Sequence, residues 1–535
     1  MRLYYLHSAV DFDEQDSVFN AHYCPASFHC MATCTTPLMS NEANNFSNQE
    51  IYSSLLNQED TEKVKYGRHP CHISLNAQQL MICQAKNTSK VLAKISADSI
   101  IGATAVLKGK CHQLEIFYYP LATGCCVSHK DGNKRVRKTI TLNFMEDQTA
   151  CQNWMNVIRY VSSGLTLPVL YAPQQGDVEV GDQRASREGS ILRVTPPPTR
   201  NFLVVVNPVG GKRQGRQIWK KWLEPMLREA NVVVTLLITE RADHAKNMLS
   251  EMQTDPAATY QAILCVGGDG IVFEVVNGLI HRAGGEELLK RLPIVHIPGG
   301  TGNGLSKSVL FACNEACTPL NAAFVALRGH PQSLDLARVT TVDGKEHISF
   351  LSLAWGLISD VDILSETMRY LGETRLYIAA VYFMIRRRFY AGRLRMKLIE
   401  SDEAPDSVGN NSNGSAGTVD EDGWTTIESP FLLFWAVQTS HTAITIHSGP
   451  GVKLDDGIFT IAVCQEMSRF HMIELLLGMD SGAHYQHPKV KVFRCREYTL
   501  EPLTDKGIYS LDGEVVPYGK VSAVVLPSAA TTLSL

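Results

Sequence analysis

Gly267, Gly268, Asp269 and Gly270 are the residues whose types and spacing point most directly to chemistry. They follow the apolar run Ala262 to Val266 and precede the helix-like segment Ile271 to Ile280. A strand that ends in glycines and feeds a helix exposes backbone N–H groups where a sheet opens, and one carboxylate stands among them. That combination suits phosphoryl transfer, which asks a protein mainly to position the reactants and neutralise charge, with one group beside the attacking hydroxyl. Asp269 suits that last role, since it would orient a substrate hydroxyl and take its proton, an effect worth about 10²–10⁴ in rate.

Two further glycine turns share this context. Leu203 to Val206 runs into Asn207 Pro208 Val209 Gly210 Gly211 Lys212, and Pro293 to Ile297 runs into Pro298 Gly299 Gly300 Thr301 Gly302 Asn303 Gly304. Glycine lets the backbone take positive φ and approach a ligand with no side chain in the way. Each turn alone reads as an ordinary βα connection, whereas three in this order point to one phosphate cradle. Lys212, Arg213, Gly300, Thr301, Gly302 and Asn303 supply cations, a hydroxyl and N–H donors that suit nucleotide phosphates. Glu274 either contacts a ribose or helps hold Mg²⁺, or simply favours its own helix N-terminus through the dipole. The spacing of Gly210, Gly211 and Gly215 matches neither a Walker A loop nor a dinucleotide fingerprint, which disfavours a dehydrogenase.

These turns need an α/β scaffold. Strand-like runs at 202–206, 232–238, 261–266 and 293–297 alternate with helical segments near 215–230, 242–252 and 271–281, the pattern of a parallel sheet flanked by helices. Beyond about 335 the chain turns to strand-like runs with Asp–Gly turns at Asp343, Asp456 and Asp512, a mainly antiparallel β domain with one helical interruption. Within it Ser401 to Thr426 reads as a disordered insertion. Upstream, residues 1–62 read as a flexible tail in which Cys24, Cys30, Cys34, His22 and His29 match no standard zinc spacing. Residues 63–165 carry short strands closed by Gln148 to Val161, where Cys151, Trp154, Met155, Ile158 and Val161 repeat at helical spacing. This unit resembles a pleckstrin-homology-like domain. Lys130, Lys134, Arg135, Arg137 and Lys138 form a cationic loop that either meets anionic lipid or is simply solvated. A polar linker, 166–200, ends in Pro196 Pro197 Pro198 and separates this unit from the α/β domain at 201–335 and the β-rich domain at 336–535.

At 535 residues the chain is too long for one core. Its charge of 50 minus 54, or −4, gives no global attraction to nucleic acid. The fourteen cysteines follow no framework, and the start lacks a secretory signal, so a reducing, cytoplasmic setting is expected. The longest apolar stretches, near Phe350 to Ile358 and Phe431 to Val437, fall short of the ~20 residues that span a bilayer, so membrane contact would be peripheral.

The motifs together resemble the diacylglycerol-kinase catalytic family and, within it, the sphingosine kinases. The resemblance rests on Asn207 Pro208, on Gly267 to Gly270 with Glu274 to Gly278, and on Pro298 to Asn303. It extends to Ser352 to Gly356 with Asp360 and Asp362, to Arg369 to Glu373 with Arg375, and to Leu511 to Glu514. It implies ATP with Mg²⁺ as phosphoryl donor and sphingosine or a related long-chain base as acceptor, giving sphingosine 1-phosphate. A ceramide or diacylglycerol kinase of the same fold, or an inactive lipid-binding adaptor, is the alternative. By the same resemblance Asn207, Pro208, Val209, Thr239, Glu240, Arg241, Ala242, Asp243, Glu274, Gly300, Thr301, Gly302, Arg369, Arg375, Asp512, Gly513 and Glu514 would line the ATP site. Asp269 would be the proton acceptor, and Gly267, Gly268, Asp269, Gly270 and Asp362 would face the lipid head group. Ile271 stands where many diacylglycerol kinases have Thr, which favours the sphingosine branch. Val209 stands where vertebrate sphingosine kinases have Arg, so that position would contribute only backbone. Sphingosine offers a cationic amine that Asp362 would pair with in an apolar cleft, whereas diacylglycerol has no cation. Asp360 and Asp362 would otherwise serve backbone donors at a strand end, and Asp512 Gly513 would make a type I′ turn. Between Met368 and Lys397 an apolar stretch followed by Arg386, Arg387, Arg388, Arg393 and Arg395 would cover a lipid pocket, touch a membrane, or pack as core.

Overall fold

The computed structural model describes residues 4–5, 64–122, 133–145, 147–167, 194–211, 213–368, 374–399 and 418–535. Most of the expected tail and linker, Lys130, Lys212, Arg369 to Glu373 and most of the expected insertion lie outside the described residues.

The site rests on a sheet whose strands stand in the order Val232–Ile238, Arg200–Val206, Ala262–Gly267, Ile294–Pro298, all paired parallel. Tyr4–Tyr5 adds a short antiparallel pairing at the Val232–Ile238 edge, so the sheet is not parallel throughout. Both central strands are continuous apolar runs because helices cover both faces: Leu203 to Val206 and Ala262 to Val266 are all fully buried. At about 1.5–3 kcal/mol per large aliphatic side chain, this interior is the main force holding the strand ends in place. Register puts Val206 beside Val266 and Gly267 beside Pro298, so the three glycine turns leave the same edge of the sheet. The helix expected near 215–230 is instead two α segments, Gly215–Ile218 and Glu224–Glu229, joined by a π turn, Trp219–Leu223, whose Trp219 and Leu223 are buried.

Upstream, seven strands pair antiparallel in the order Asn87–Ser96, Gln79–Gln84, His69–Leu75, Val64–Tyr66, Lys138–Met145, Cys111–Tyr118, Ile100–Lys108. The helix Gln148–Ser162 buries Cys151, Trp154, Val157 and Ile158 against them, and Asp147 caps it by accepting the N–H of Ala150. This module is joined tightly to the α/β unit, because Ile101, Phe117 and Tyr119 belong to the same apolar core as the central sheet.

The contact also corrects the reading of the cationic loop. Arg135 donates from Nε to both carboxylate oxygens of Glu315 (3.0 and 3.1 Å) and from Nη1 to the Tyr119 carbonyl, and its guanidinium lies 3.5 Å from the Phe324 ring centre. Arg137 donates to Glu229 Oε1 at 2.6 Å, while Tyr119 donates its hydroxyl to Oε2 of the same carboxylate at 2.7 Å. Two of the cations assigned to a lipid-facing loop are therefore interface residues, because Glu229 and Glu315 are buried and need partners.

After residue 330 the strands form one connected antiparallel array. It runs Glu346–Ser349, His330–Thr340, Val521–Ser534, Lys491–Pro502, Phe459–Cys464, Leu433–Val437, Ser352–Gly356, Tyr509–Leu511, Glu514–Val516, with Tyr390–Leu398 branching from Lys491–Pro502 and Thr425–Phe431 pairing on its far side. Its inner core centres on Trp355, packed on Tyr390, Phe431 and Tyr509 at centroid distances of 5.6, 5.9 and 6.2 Å. Three helices cross this domain where one was expected: Leu357–Thr367, Thr374–Arg386 and Arg469–Leu477. A second apolar layer, with Leu357, Phe383, Leu433, Trp435, Met472 and Leu475, lies between them and the sheet. The expected insertion is shorter than 401–426, since Thr418–Val419 and Thr425–Phe431 are strands. Of the three Asp–Gly pairs, only Asp512 Gly513 makes a two-residue hairpin, with Leu511 opposite Glu514 and φ of +52° and +89°.

Candidate functional site

The three glycine turns touch one another. A Cβ added to Gly300 would lie 2.4 Å from Gly268 Cα, and one added to Gly211 would lie 2.6 Å from Gly300 Cα, so backbone packs on backbone with no room for a side chain. Two asparagines fix the turns. Asn207 Oδ1 accepts the N–H groups of Val209 and Gly210 (3.0 and 2.9 Å), and Asn303 Oδ1 accepts those of Gly299 and Gly300 (3.1 and 2.8 Å). Asn303 itself is buried at φ +58°, a conformation that asparagine tolerates. Pro208 sits between Asn207 and the exposed Val209.

Asp269 is the first residue of the helix Asp269–Ile280 and is 9% exposed. Its Oδ2 accepts the Gly304 N–H at 3.0 Å and its Oδ1 the Leu305 N–H at 3.1 Å, which caps the helix Gly304–Ala312 from across the site. Two helix N-termini thus converge on one carboxylate, a favourable place for negative charge. Each oxygen keeps a further lone pair. The buried His296 ring lies beside it, with Nδ1 3.5 Å from Asp269 Oδ1; Nδ1 accepts the Ser306 N–H and Nε2 donates to the Gly267 carbonyl at 3.0 Å.

Glu274 acts on a neighbouring helix rather than its own. Its Oε2 accepts the Ala245 N–H at 3.0 Å and so caps His244–Glu251, whose preceding residue Asp243 is left-handed at φ +57° and offers no side-chain cap. Burial pushes the Glu274 carboxyl above its ordinary range, while the backbone donors around it pull the other way. Thr239 is buried against the Val206 carbonyl, and Glu240, Arg241, Ala242 and Asp243 form an exposed rim at the same sheet edge.

The β domain closes over the turns. A Cβ on Gly270 would meet Glu514 Oε1 at 3.0 Å, and the Ile444 N–H donates to the Gly302 carbonyl at 2.9 Å. Arg375 is buried, with Nη2 3.2 Å from Thr301 Oγ1 and Nη1 3.4 Å from the Ser365 carbonyl, so the third turn is tied to the helix Thr374–Arg386. Asp362 accepts the Ser510 hydroxyl at 2.8 Å. Asp360 instead accepts the Tyr390 hydroxyl at 2.6 Å, and burial raises its carboxyl.

Asp512 is placed differently from a ligand-contacting group. Its buried carboxylate accepts the Ser349 hydroxyl and the N–H groups of Phe350, Leu351 and Ser352 at 2.7 to 3.0 Å, and desolvation lifts it to about 6. Gly513 and Glu514 follow at the hairpin tip. The structure therefore gathers Asn207, Pro208, Val209, Gly267 to Gly270, Gly300 to Gly302 and Glu514 around one point, links Arg375 to it, and places Glu274 and Asp512 in supporting positions. Arg369 lies outside the described residues.

Sequence reasoning missed His296, which stands inside a strand, and the capping of one helix by Asp269 and of another by Glu274. It also missed the segment Ser440 to Ser448 that docks beneath the third turn. Its signal was present in Thr442 to Ile444 but had no partner visible along the chain.

A family model described as the diacylglycerol kinase catalytic domain matches residues 201–339, and one described as the YegS C-terminal NAD kinase beta sandwich-like domain matches residues 425–534. Sphingosine kinase 2 of Arabidopsis thaliana is 34% identical over 341 residues, covering 60% of this chain and 70% of that protein. Sphingoid long chain base kinase 4 of Schizosaccharomyces pombe is 30% identical, covering 63% and 75%. Human sphingosine kinase 1 is 30% identical, covering 63% of this chain and 91% of its own. With a diacylglycerol kinase catalytic domain, a C-terminal antiparallel β domain and this degree of identity, the chain belongs to the sphingosine kinase family.

Proposed function

We propose that this lipid kinase transfers the γ-phosphoryl of ATP to the primary hydroxyl of sphingosine or a related long-chain base, giving sphingosine 1-phosphate. The observation that carries the reading is the single carboxylate of Asp269, held by two backbone N–H groups at the meeting point of three side-chain-free turns. In this reading the turns at Asn207 to Gly211 and Gly300 to Gly302, with the rim Thr239 to Asp243, receive the nucleotide. Asp269 orients the lipid hydroxyl and accepts its proton through a remaining lone pair. Asp362, whose Oδ2 already takes the Ser510 hydroxyl, pairs with the substrate amine.

Mg²⁺ fits this donor set as an ion carried on the phosphates. Asp269 and Glu274 are both occupied as helix caps, which leaves little for an all-protein cage, and Mg²⁺ commonly binds through one or two carboxylates plus substrate phosphates. Its chemistry would be to bridge and neutralise phosphate oxygens.

The long hydrocarbon chain would enter the apolar layer between the three helices and the sheet, whose residues are buried against one another, so the helix Thr374–Arg386 must shift to admit it. That helix exposes Ile378, Val381, Tyr382 and Ile385 at i, i+3, i+4 and i+7 spacing. The neighbouring helix Arg469–Leu477 exposes Phe470, Ile473 and Leu477, and Arg469 donates to the Ile385 carbonyl between them. With Arg386, Arg387 and Arg388 alongside, this face supports peripheral contact with an anionic bilayer from the cytoplasm. Among the described residues no helix is long and apolar enough to cross a membrane. The antiparallel strands of 64–145 and their closing helix are read as a pleckstrin-homology-like module, serving as a structural partner of the kinase.

The test is transfer of radiolabel from ATP to sphingosine, ceramide and diacylglycerol side by side, with Asp269→Asn as control. Labelling of sphingosine that Asp269→Asn abolishes supports the proposal. Labelling of ceramide or diacylglycerol alone moves the assignment to a neighbouring branch, and no labelling of any lipid indicates an adaptor.

A further inference from the structure

The helix Arg469–Leu477 carries a second cluster of reactive side chains, away from the glycine turns. His471 and Glu474 stand three residues apart and so share one face, and His487 follows the short 3₁₀ turn Ala483–Gln486. One donor atom from each of the three lies within 4.8 Å of the others. Glu474 Oε2 is 3.6 Å from His487 Nε2, and the two imidazole rings meet edge to face with centroids 5.3 Å apart. The helix that presents them is anchored, because Met472 and Leu475 are buried in the apolar layer and Ser468 caps its first turn through the His471 N–H.

We propose that His471, Glu474 and His487 form a zinc-class metal site. Two imidazole nitrogens and one carboxylate oxygen are the donors that a borderline divalent transition ion prefers and that Mg²⁺ does not, with water taking a fourth position. Tetrahedral zinc at its usual bond lengths sets donors about 3.3 Å apart, so the cluster needs a closure of about 1.5 Å or less, within the reach of side-chain rotation. The Lys489 N–H donates to His487 Nδ1 at 3.1 Å, which places the ring proton on Nε2, facing Glu474. Binding turns the Nε2 lone pair to the ion, moves that proton to Nδ1 and gives up the Lys489 contact, with no net change in protons. The bound ion would tie the helix that exposes Phe470, Ile473 and Leu477 to the segment 483–490 and so stiffen that apolar face.

The experiment compares the full-length protein with His471→Ala/His487→Ala and with Glu474→Gln. Each is dialysed against buffered Zn²⁺, its metal content measured by mass spectrometry, and its melting followed with Zn²⁺, with Mg²⁺ and with neither. The wild type is expected to hold one more zinc per chain than the double variant. Zn²⁺, and not Mg²⁺, should raise its melting temperature, and Glu474→Gln should weaken binding about tenfold or more while melting normally without metal. Equal zinc content in wild type and Glu474→Gln at limiting Zn²⁺, or a melting temperature indifferent to Zn²⁺, would overturn the proposal and leave a surface His–Glu pair. Glu474→Gln decides the question even if the double variant misfolds.

Discussion

Gly300→Ala is the substitution that most directly tests whether the three turns act as one surface. The added Cβ would sit 2.4 Å from Gly268 Cα and 2.9 Å from Gly268 N, whereas ordinary contact begins at 3.4 Å, so the turns must part by 3.4 minus 2.4, or 1.0 Å. Both neighbours are backbone, held by the Gly299 N–H on the Gly267 carbonyl at 2.8 Å and by Asn303, so no rotamer change relieves the clash. Overpacking of this kind costs about 1–3 kcal/mol, which for a domain of this size lowers the melting temperature by about 2–12 °C. A displacement near 1 Å at reacting groups is worth about 10²-fold in rate. Gly270→Ala serves as the matched control, because its Cβ meets only the flexible end of Glu514 at 3.0 Å and φ is unstrained there. Scanning calorimetry and steady-state kinetics against ATP should show Gly300→Ala severely impaired, and Gly270→Ala, which borders the same site but displaces only a side-chain end, impaired less and with a smaller loss of melting temperature. If the two variants behave alike, the contiguous glycine floor is not what the site depends on.

Four further outcomes are expected. Asp269→Asn should lower kcat by about 10²–10⁴ while nucleotide affinity changes little, a split visible in phosphorylation kinetics and ATP titration. Arg135→Ala leaves the buried carboxylate of Glu315 without its cation and should destabilise the protein by about 3–5 kcal/mol in denaturant unfolding. Burial and nearby Asp335 raise the Asp456 carboxyl from 3.8 to about 6, so the folded state holds that proton more tightly and the group's contribution falls as pH rises from about 4 to 6. Asp456→Asn should therefore gain on wild type across that window, by up to ~3 kcal/mol, and hold a constant difference above it, as pH-dependent unfolding would reveal. Replacing Ile385 and Leu477 with Ser should reduce sedimentation with anionic vesicles without lowering the melting temperature, since both side chains are more than 60% exposed.

The central sheet was readable in the sequence because each strand is a short apolar run, three of them ending in glycine turns, and continuous burial leaves such runs few alternatives. Its turns were equally plain, since glycine at three successive strand ends has a local steric meaning. The roles of the acidic residues were harder to read. Asp269 and Glu274 each cap a helix that starts more than 25 positions away or belongs to another segment, and Asp512 collects donors from residues 349–352. Such pairings depend on tertiary placement, and a lone carboxylate in a sequence carries no trace of its donor. The cationic loop misled for a related reason. Charge is visible along the chain, but the buried Glu229 and Glu315 that claim Arg137 and Arg135 become neighbours only after docking. Two helices of the β domain were missed: Arg469–Leu477 divides its apolar residues between the sheet and the exterior, which blurs the period that marks a helix, and Leu357–Thr367 follows the apolar strand Ser352–Gly356 with no break.

The docking of the upstream module bears on where this polypeptide can be cut. A Cβ on Gly102 would fall 2.2 Å from the Glu229 carbonyl, and Arg328 reaches back to the carbonyls of Val161 and Ser162, so backbone meets backbone at one point of the seam and a side chain at the other. Shortening the protein to its kinase half would strand two anionic side chains in a nonpolar setting and lay bare an aromatic patch around Phe324. The minimal autonomous enzyme in this lineage member is thus larger than the stretch that bears its chemistry.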